Sequence, residues 1–243
     1  MDRRIIHPKW LLATASVVLL AVVFILLGVW QLNRLNMRQV DNAVGELQSS
    51  EPPTDLDLLL NESGGDYGQI EYRNAIAIGA FDSDNEVLVR SQVYRGTAGF
   101  HVITPLVIEN GTSVLVNRGW VPLSMDTVPV PAIPVPLAGQ VEGWVHQTQM
   151  RPSFGPEDPS DGHLIVVSRV DIDRIQEQVE YELQPVYLVM THPDGEDLPV
   201  LLAAPDFSDE GPHLAYALQW FGFAIVLVVG YFFFVRSRLR ESV

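Results

Sequence analysis

A chain of 243 residues has room for one or two domains, and its 30 acidic against 15 basic residues give a formal charge of −15. That balance excludes nucleic acid and anionic headgroups as partners of the general surface, because like charges repel within the Debye length. With no cysteine present, disulfides, thiolate metal sites and thiol exchange are excluded as well.

The N-terminal tail, residues 1–9, is basic through Arg3, Arg4 and Lys9. Trp10 to Leu32 follows without a charge and is long enough to cross a hydrocarbon core of roughly 30 Å. Its end, LLGVWQLNRL, lacks the small-residue cleavage site of a signal peptide, so residues 10–32 read as a retained transmembrane helix. Beyond it Leu32, Val40, Ala43, Val44 and Leu47 keep to one side, while Asn33, Asn42 and Glu46 point elsewhere. The helix therefore runs on out of the bilayer until Ser49-Ser50-Glu51-Pro52-Pro53, where proline and its predecessor disfavour helix. The stretch around Gly64, Gly65 and Gly68 reads as loop.

From Tyr72 the period changes to two. YRNAIAIGAF, EVLVRSQVY, FHVITPLVIE and SVLVNRGWV are strand-like runs separated by SDN, RGTAG and NG, which predicts an antiparallel meander. Asn110-Gly111 is the strongest turn signal, since a type I′ turn needs positive φ. PVPAIPVP, Pro129 to Pro136, is an extended surface connection. GQVEGWVHQ, HLIVVSRV and YLVMTH add strands, with a short run at Pro199 to Ala203. DIDRIQEQV reads as a helix of about three turns, with Asp171 as N-cap and Ile172, Ile175 and Val179 on one face.

The second apolar stretch, Leu214 to Val235, has 22 uncharged residues and as a helix reaches about 33 Å, again long enough to cross. Arg236, Arg238 and Arg240 follow it and Asp206, Asp209 and Glu210 precede it, so the positive-inside rule puts both tails in the cytoplasm. Gln39 to Pro212 holds 28 acidic residues against seven arginines, a net charge of −21, all on the other side. The predicted organisation is a cytoplasmic tail (1–9), a first transmembrane helix (10–32), an extracytoplasmic β-rich domain (33–212), a second transmembrane helix (213–235) and a cytoplasmic tail (236–243). The fold class is thus an α+β membrane protein, two spans flanking an antiparallel, barrel-like domain with one short helix.

Enzyme signatures are missing. GxSxG, HExxH, a phosphate-cradling glycine loop and GxGxxG do not occur, which leaves hydrolysis, zinc proteolysis, phosphoryl transfer and dinucleotide binding without support. The expectation is a protein that is not an enzyme. His101, His146, His163 and His192 stand on separate strands or loops without metal-ligand spacing. Asp82, Asp84 and Glu86 lack the glycine and distal glutamate of an EF-hand loop and read as a charged hairpin turn.

His213 stands at the entrance of the second span, with Tyr216, Ala217 and Trp220 at i+3, i+4 and i+7 on the same face. Two readings fit. One is an interfacial histidine beside an aromatic belt. The other is an axial haem ligand, a common role of neutral imidazole, on an aromatic face that suits a macrocycle. The first span brings Trp30, Gln31 and Arg34 to the same leaflet, where Arg34 is either a snorkelling cation or a partner for propionates. In VLVNRGWVP, Asn117, Arg118, Gly119 and Trp120 interrupt an apolar strand. The break marks a bulge or a close backbone approach, either on an edge strand turning a corner or on a surface where Arg118 and Trp120 meet a cofactor or membrane partner.

GVWQLNRLNMR, the series Gly99-Phe100, Thr104 to Leu106 and Val114 to Pro122, and GPHLAYALQWF occur in that order. Together they resemble the surfeit locus protein 1 family, assembly factors of cytochrome c oxidase, over nearly the whole chain. The resemblance implies a role in supplying or inserting haem a into the large oxidase subunit, with oxidase subunits, haem a synthase and the membrane as partners. It implies His213 as the haem ligand and as the metal-binding residue. Trp30, Gln31, Arg34, Arg118, Gly119, Trp120, Tyr216, Gln219 and Trp220 match other motif positions. Arg38 stands where a lysine is typical, and Arg151 to Val170 matches poorly. The short basic N-terminus points to a bacterial plasma membrane rather than a mitochondrial import signal. A haem-free scaffold holding oxidase subunits through the outer domain is the alternative, and one chain or two could complete the haem site.

Overall fold

The computed structural model describes residues 8–108, 111–131, 139–150, 158–159, 162–191 and 199–240. Asn110, most of the Pro129 to Pro136 tract and His192 lie outside the described residues. The chain forms two compact units, Gly45–Pro205 and a helical unit of Met1–Val44 with Asp206–Val243.

The helical unit is built from α1 (Pro8–Ser50) and α4 (His213–Arg240). Both are long and apolar enough to cross a membrane, which supports a two-pass membrane protein. As expected, α1 is one continuous helix ending just before Pro52-Pro53. The two helices run antiparallel: Trp10 meets Phe234 at 6.1 Å, Phe24 meets Trp220 at 5.7 Å, and Thr14 Oγ1 lies 2.6 Å from the Tyr231 hydroxyl. Small residues let them approach. Ala21, Ala217 and Ala224 are buried, and a Cβ on Gly28 would fall 2.5 Å from the Phe221 ring.

The other unit is a sheet of eight strands: β1 (Thr54–Asp55), β2 (Asn74–Phe81), β3 (Val87–Tyr94), β4 (Thr97–Ile108), β5 (Thr112–Pro122), β6 (Gly139–Gln147), β7 (Val166–Val167) and β8 (Glu182–Met190). Their order is β1-β2-β6-β8-β5-β4-β3-β7, and a further β2–β4 pairing joins β2, β6, β8, β5 and β4 into a ring. Closure removes the edges that a half-buried sheet would otherwise expose. Gly79 sits at the seam, paired with both Gly139 and Ile108, where a Cβ would lie 2.3 Å from the Val107 carbonyl oxygen.

The barrel-like, mainly antiparallel architecture agrees with the sequence reading, with differences in detail. The meander holds for β3-β4-β5, but β2 pairs with β4 and β6 rather than β3, and β1–β2, β3–β7 and β5–β8 are parallel. HLIVVSRV supplies only the two residues of β7, and Pro199 to Ala203 contributes a single bridge, Trp120 to Val200. The predicted three-turn helix is one short helix, α3 (Ile172–Gln176), capped as expected by Asp171 accepting from Arg174 N–H. Part of the expected glycine loop is instead α2 (Leu56–Glu62), capped by Asp55, which turns Leu56 and Leu59 inward.

Both faces of the central strands are covered. Val114, Val116 and Leu188 join Leu56, Leu59 and Ile70 in one core, whereas the alternating Leu115, Tyr187 and Val189 join Ile172, Ile175 and Leu183 in a second. This is the period of two with apolar neighbours on each side, and it is why β5 opens with consecutive apolar residues, Val114 to Val116.

Candidate functional site

At the start of α4 the chain turns through Gly211, whose φ of +70° favours glycine. Gly211 N–H donates to Asp209 Oδ1 at 2.8 Å, and the Asp209 carbonyl accepts from Asn42 Nδ2 at 3.1 Å and Arg38 Nε at 3.3 Å. Gln39 Nε2 donates to Glu210 Oε1 at 2.9 Å. Three side chains of α1 thus hold the segment that delivers His213. Asn42 does not point away as the period suggested; it is only 8% exposed.

His213 is half-buried, and its Nδ1 lies 2.9 Å from Gln31 Oε1. A Cβ on Gly211 would stand 3.4 Å from His213 Cδ2 and 3.5 Å from Nε2, at ordinary van der Waals contact, so the Gly211 backbone lies beside that edge of the ring. Tyr216 is 47% and Trp30 52% exposed. Arg34 lies one turn beyond Trp30, its Cζ 6.0 Å from the Trp30 ring. Gln219 is exposed, and Trp220 is half-buried between Phe24 and Phe223. A half-buried imidazole with one nitrogen occupied, in a helix pair that also presents exposed aromatic rings and a cation, fits the donor set expected for a haem.

Arg118 and Trp120 are elsewhere, in the interior of the sheet unit, 5% and 7% exposed. The expected bulge and close backbone approach are present, but within a central strand rather than at the corner of an edge strand, and the two side chains are buried rather than on a surface. The ladder with β4 shifts there, Val102 facing Gly119 and Ile103 facing Asn117, which leaves Arg118 as the extra residue of a bulge. The bulge turns its guanidinium inward to Glu86, Nη1 to Oε2 at 3.3 Å, with Cζ 5.1 Å from the Phe81 ring. Glu86 is fully buried and also accepts from Thr104 Oγ1 at 2.6 Å and Val130 N–H at 2.8 Å. Of the charged hairpin, then, Asp82 caps the turn and Glu86 belongs to the core. Gly119 has φ +122°, and a Cβ there would meet Val200 O at 2.6 Å. Trp120 packs at a tilt against Tyr94, their ring centroids 5.5 Å apart.

Among the described residues no three His, Asp or Glu side chains gather as a metal site. His101 faces Asn117 at 3.4 Å, and burial lowers its pKa to about 4. His146 Nδ1 pairs with Glu71 at 2.9 Å under Tyr187, whose hydroxyl burial pushes up to about 12. His163 is exposed.

The SURF1 family model matches residues 18–225, which include α1 from Val18 onward, the whole sheet unit and the first half of α4. The chain belongs to the SURF1 family. Among similar family members, an uncharacterized SURF1-like protein of Mycobacterium bovis is 29% identical, covering 98% of this chain and 89% of the relative. A SURF1-like protein of Rickettsia bellii is 23% identical over 91% of this chain and 90% of its own length, and one of Dictyostelium discoideum 25% over 87% and 92%. SURF1 membership covers both elements that form the candidate site, the end of α1 and the start of α4.

Proposed function

We propose that the protein is a membrane-anchored assembly factor of cytochrome c oxidase that carries haem a toward the large oxidase subunit. SURF1 membership supports the oxidase-assembly role. The observation that carries the haem reading is His213, half-buried, its Nδ1 held by Gln31, with the exposed rings of Tyr216 and Trp30 in the same helix pair. In this reading His213 ligates the iron, Tyr216, Trp30 and Trp220 flank the ring, Gln219 lines its rim and Arg34 takes a propionate. When bound, the haem supplies only an iron to be ligated, and the chain's residues bind, orient and shield it. No catalytic step is assigned. Arg118 and Trp120 leave the proposed site because both are buried in the sheet unit, Arg118 against Glu86.

The same reading places both tails in the cytoplasm of a bacterial plasma membrane and the acidic domain outside, on the strength of Arg236, Arg238 and Arg240 after the second span. Oxidase subunits and haem a synthase are its proposed partners. The test is the absorption spectrum of protein purified from cells that make haem a. Wild type is expected to carry a Soret band and His213→Ala to lose it. A colourless wild-type protein that still co-purifies with oxidase subunits supports the scaffold alternative instead.

A further inference from the structure

Neutral imidazole carries one proton, and what its two nitrogens face decides where that proton sits. His213 Nδ1 faces Gln31 Oε1 at 2.9 Å. An amide oxygen accepts and does not donate, so Nδ1 holds the proton and the lone pair is on Nε2. That is the edge beside Gly211, where a Cβ would stand 3.5 Å away. Two carboxylates precede His213 closely, yet Asp209 Oδ1 accepts Gly211 N–H and Glu210 Oε1 accepts from Gln39. The imidazole is served by a neutral amide from the other helix instead.

We propose that Gln31 is a positioning residue that locks His213 in the Nδ1–H tautomer, dedicating Nε2 to iron, and that its neutral amide keeps this ligand weak enough to release haem. The proposal rests on the haem reading above. A carboxylate partner polarises a ligating histidine and raises its basicity, strengthening the metal bond. A carrier needs the orientation without that extra strength, and an amide gives the one without the other. Gln31 and His213 come from different helices, so the lock exists only while α1 and α4 keep their register. Phe24 on Trp220 and Gly28 against Phe221 hold that register just below it.

The test uses the full-length, haem-free chain in lipid nanodiscs with 15N-labelled histidine, read by long-range proton–nitrogen correlation at pH 8, with His213→Ala identifying the His213 signals. Wild type is expected as the Nδ1–H form. Gln31→Leu is expected to move it toward the Nε2–H form that free histidine prefers, and Gln31→Glu to keep Nδ1–H. With haem a added, Gln31→Leu should weaken retention about tenfold to a hundredfold. Gln31→Glu should restore binding, lower the iron's reduction potential and slow haem loss to excess apo-globin. An unchanged tautomer in Gln31→Leu overturns the lock. A Gln31→Glu protein with wild-type potential and release rate overturns the role of the neutral amide. If His213→Ala keeps its haem while the tautomer still responds to Gln31, the haem reading falls and the lock stands.

Discussion

The two units of this chain treat polar side chains in opposite ways. In the sheet unit Glu86 has no exposure, and its carboxylate is engaged by Arg118, Thr104 and Val130 N–H, so the charge is consumed in holding the core together. In the helical unit His213 sits half-buried at the start of α4 and Arg34 exposed in mid-α1, just past its apolar stretch. The same residue types therefore differ in meaning by location. A buried, fully partnered ion pair is structure, because removing one partner strands the other. A half-buried imidazole with one nitrogen engaged is, in the function proposed above, where a ligand sits.

The sharpest break of this contrast is at Arg118. Arg118→Met should cost about 3–5 kcal/mol by leaving Glu86 buried and uncompensated, and the Glu86→Gln, Arg118→Met pair should recover much of it. Denaturant melts of the sheet unit measure both. Haem content per folded molecule should not change; a stable Arg118→Met protein that has lost its haem would give the sheet unit a direct role.

A smaller effect separates the two units by pH. His101 is held neutral by burial, its pKa lowered from 6.5 to about 4. Between these values the unfolded chain binds a proton that the folded one does not, so stability is fully present above about pH 6.5 and falls as pH drops toward 4. The loss is of order 3 kcal/mol. Melts of wild type and His101→Gln across that window should converge at low pH, and parallel curves would remove His101 as the cause. Smallest is Thr14→Val, which removes the hydrogen bond to Tyr231 between the two long helices. Hydrogen bonds of this kind contribute about 0.6 kcal/mol. Detergent-induced unfolding should register that little, and a collapse of the helix pair would show polar contacts mattering more there than packing.

Strong periods were legible in the sequence and weak or long-range ones were not. The apolar stretches of α1 and α4, and GQVEGWVHQ as β6, are set by local pattern and appear where that pattern puts them. The seven residues of α2 were lost in a glycine-rich stretch, because so short a helix forms only when Leu56 and Leu59 find a core. The bulge at Arg118 is legible in the sequence but its place is not, because a bulge inside a central strand and a corner on an edge strand share the same residues. His213 and its aromatic neighbours could be seen from helical spacing. Asn42, Gln39 and the Gln31 contact could not, since each depends on the register of two helices far apart in the chain.

The ring of strands also has a bearing on how the protein is made. The ring closes between β5 and β6 through β8, which is synthesised last of the eight and shortly before α4. Until β8 emerges from the ribosome, both neighbours present open edges, and the barrel pairs across long sequence distances, which slows folding. A message cut short anywhere before Glu182 therefore yields no smaller working domain, only an unclosed sheet for quality control to remove.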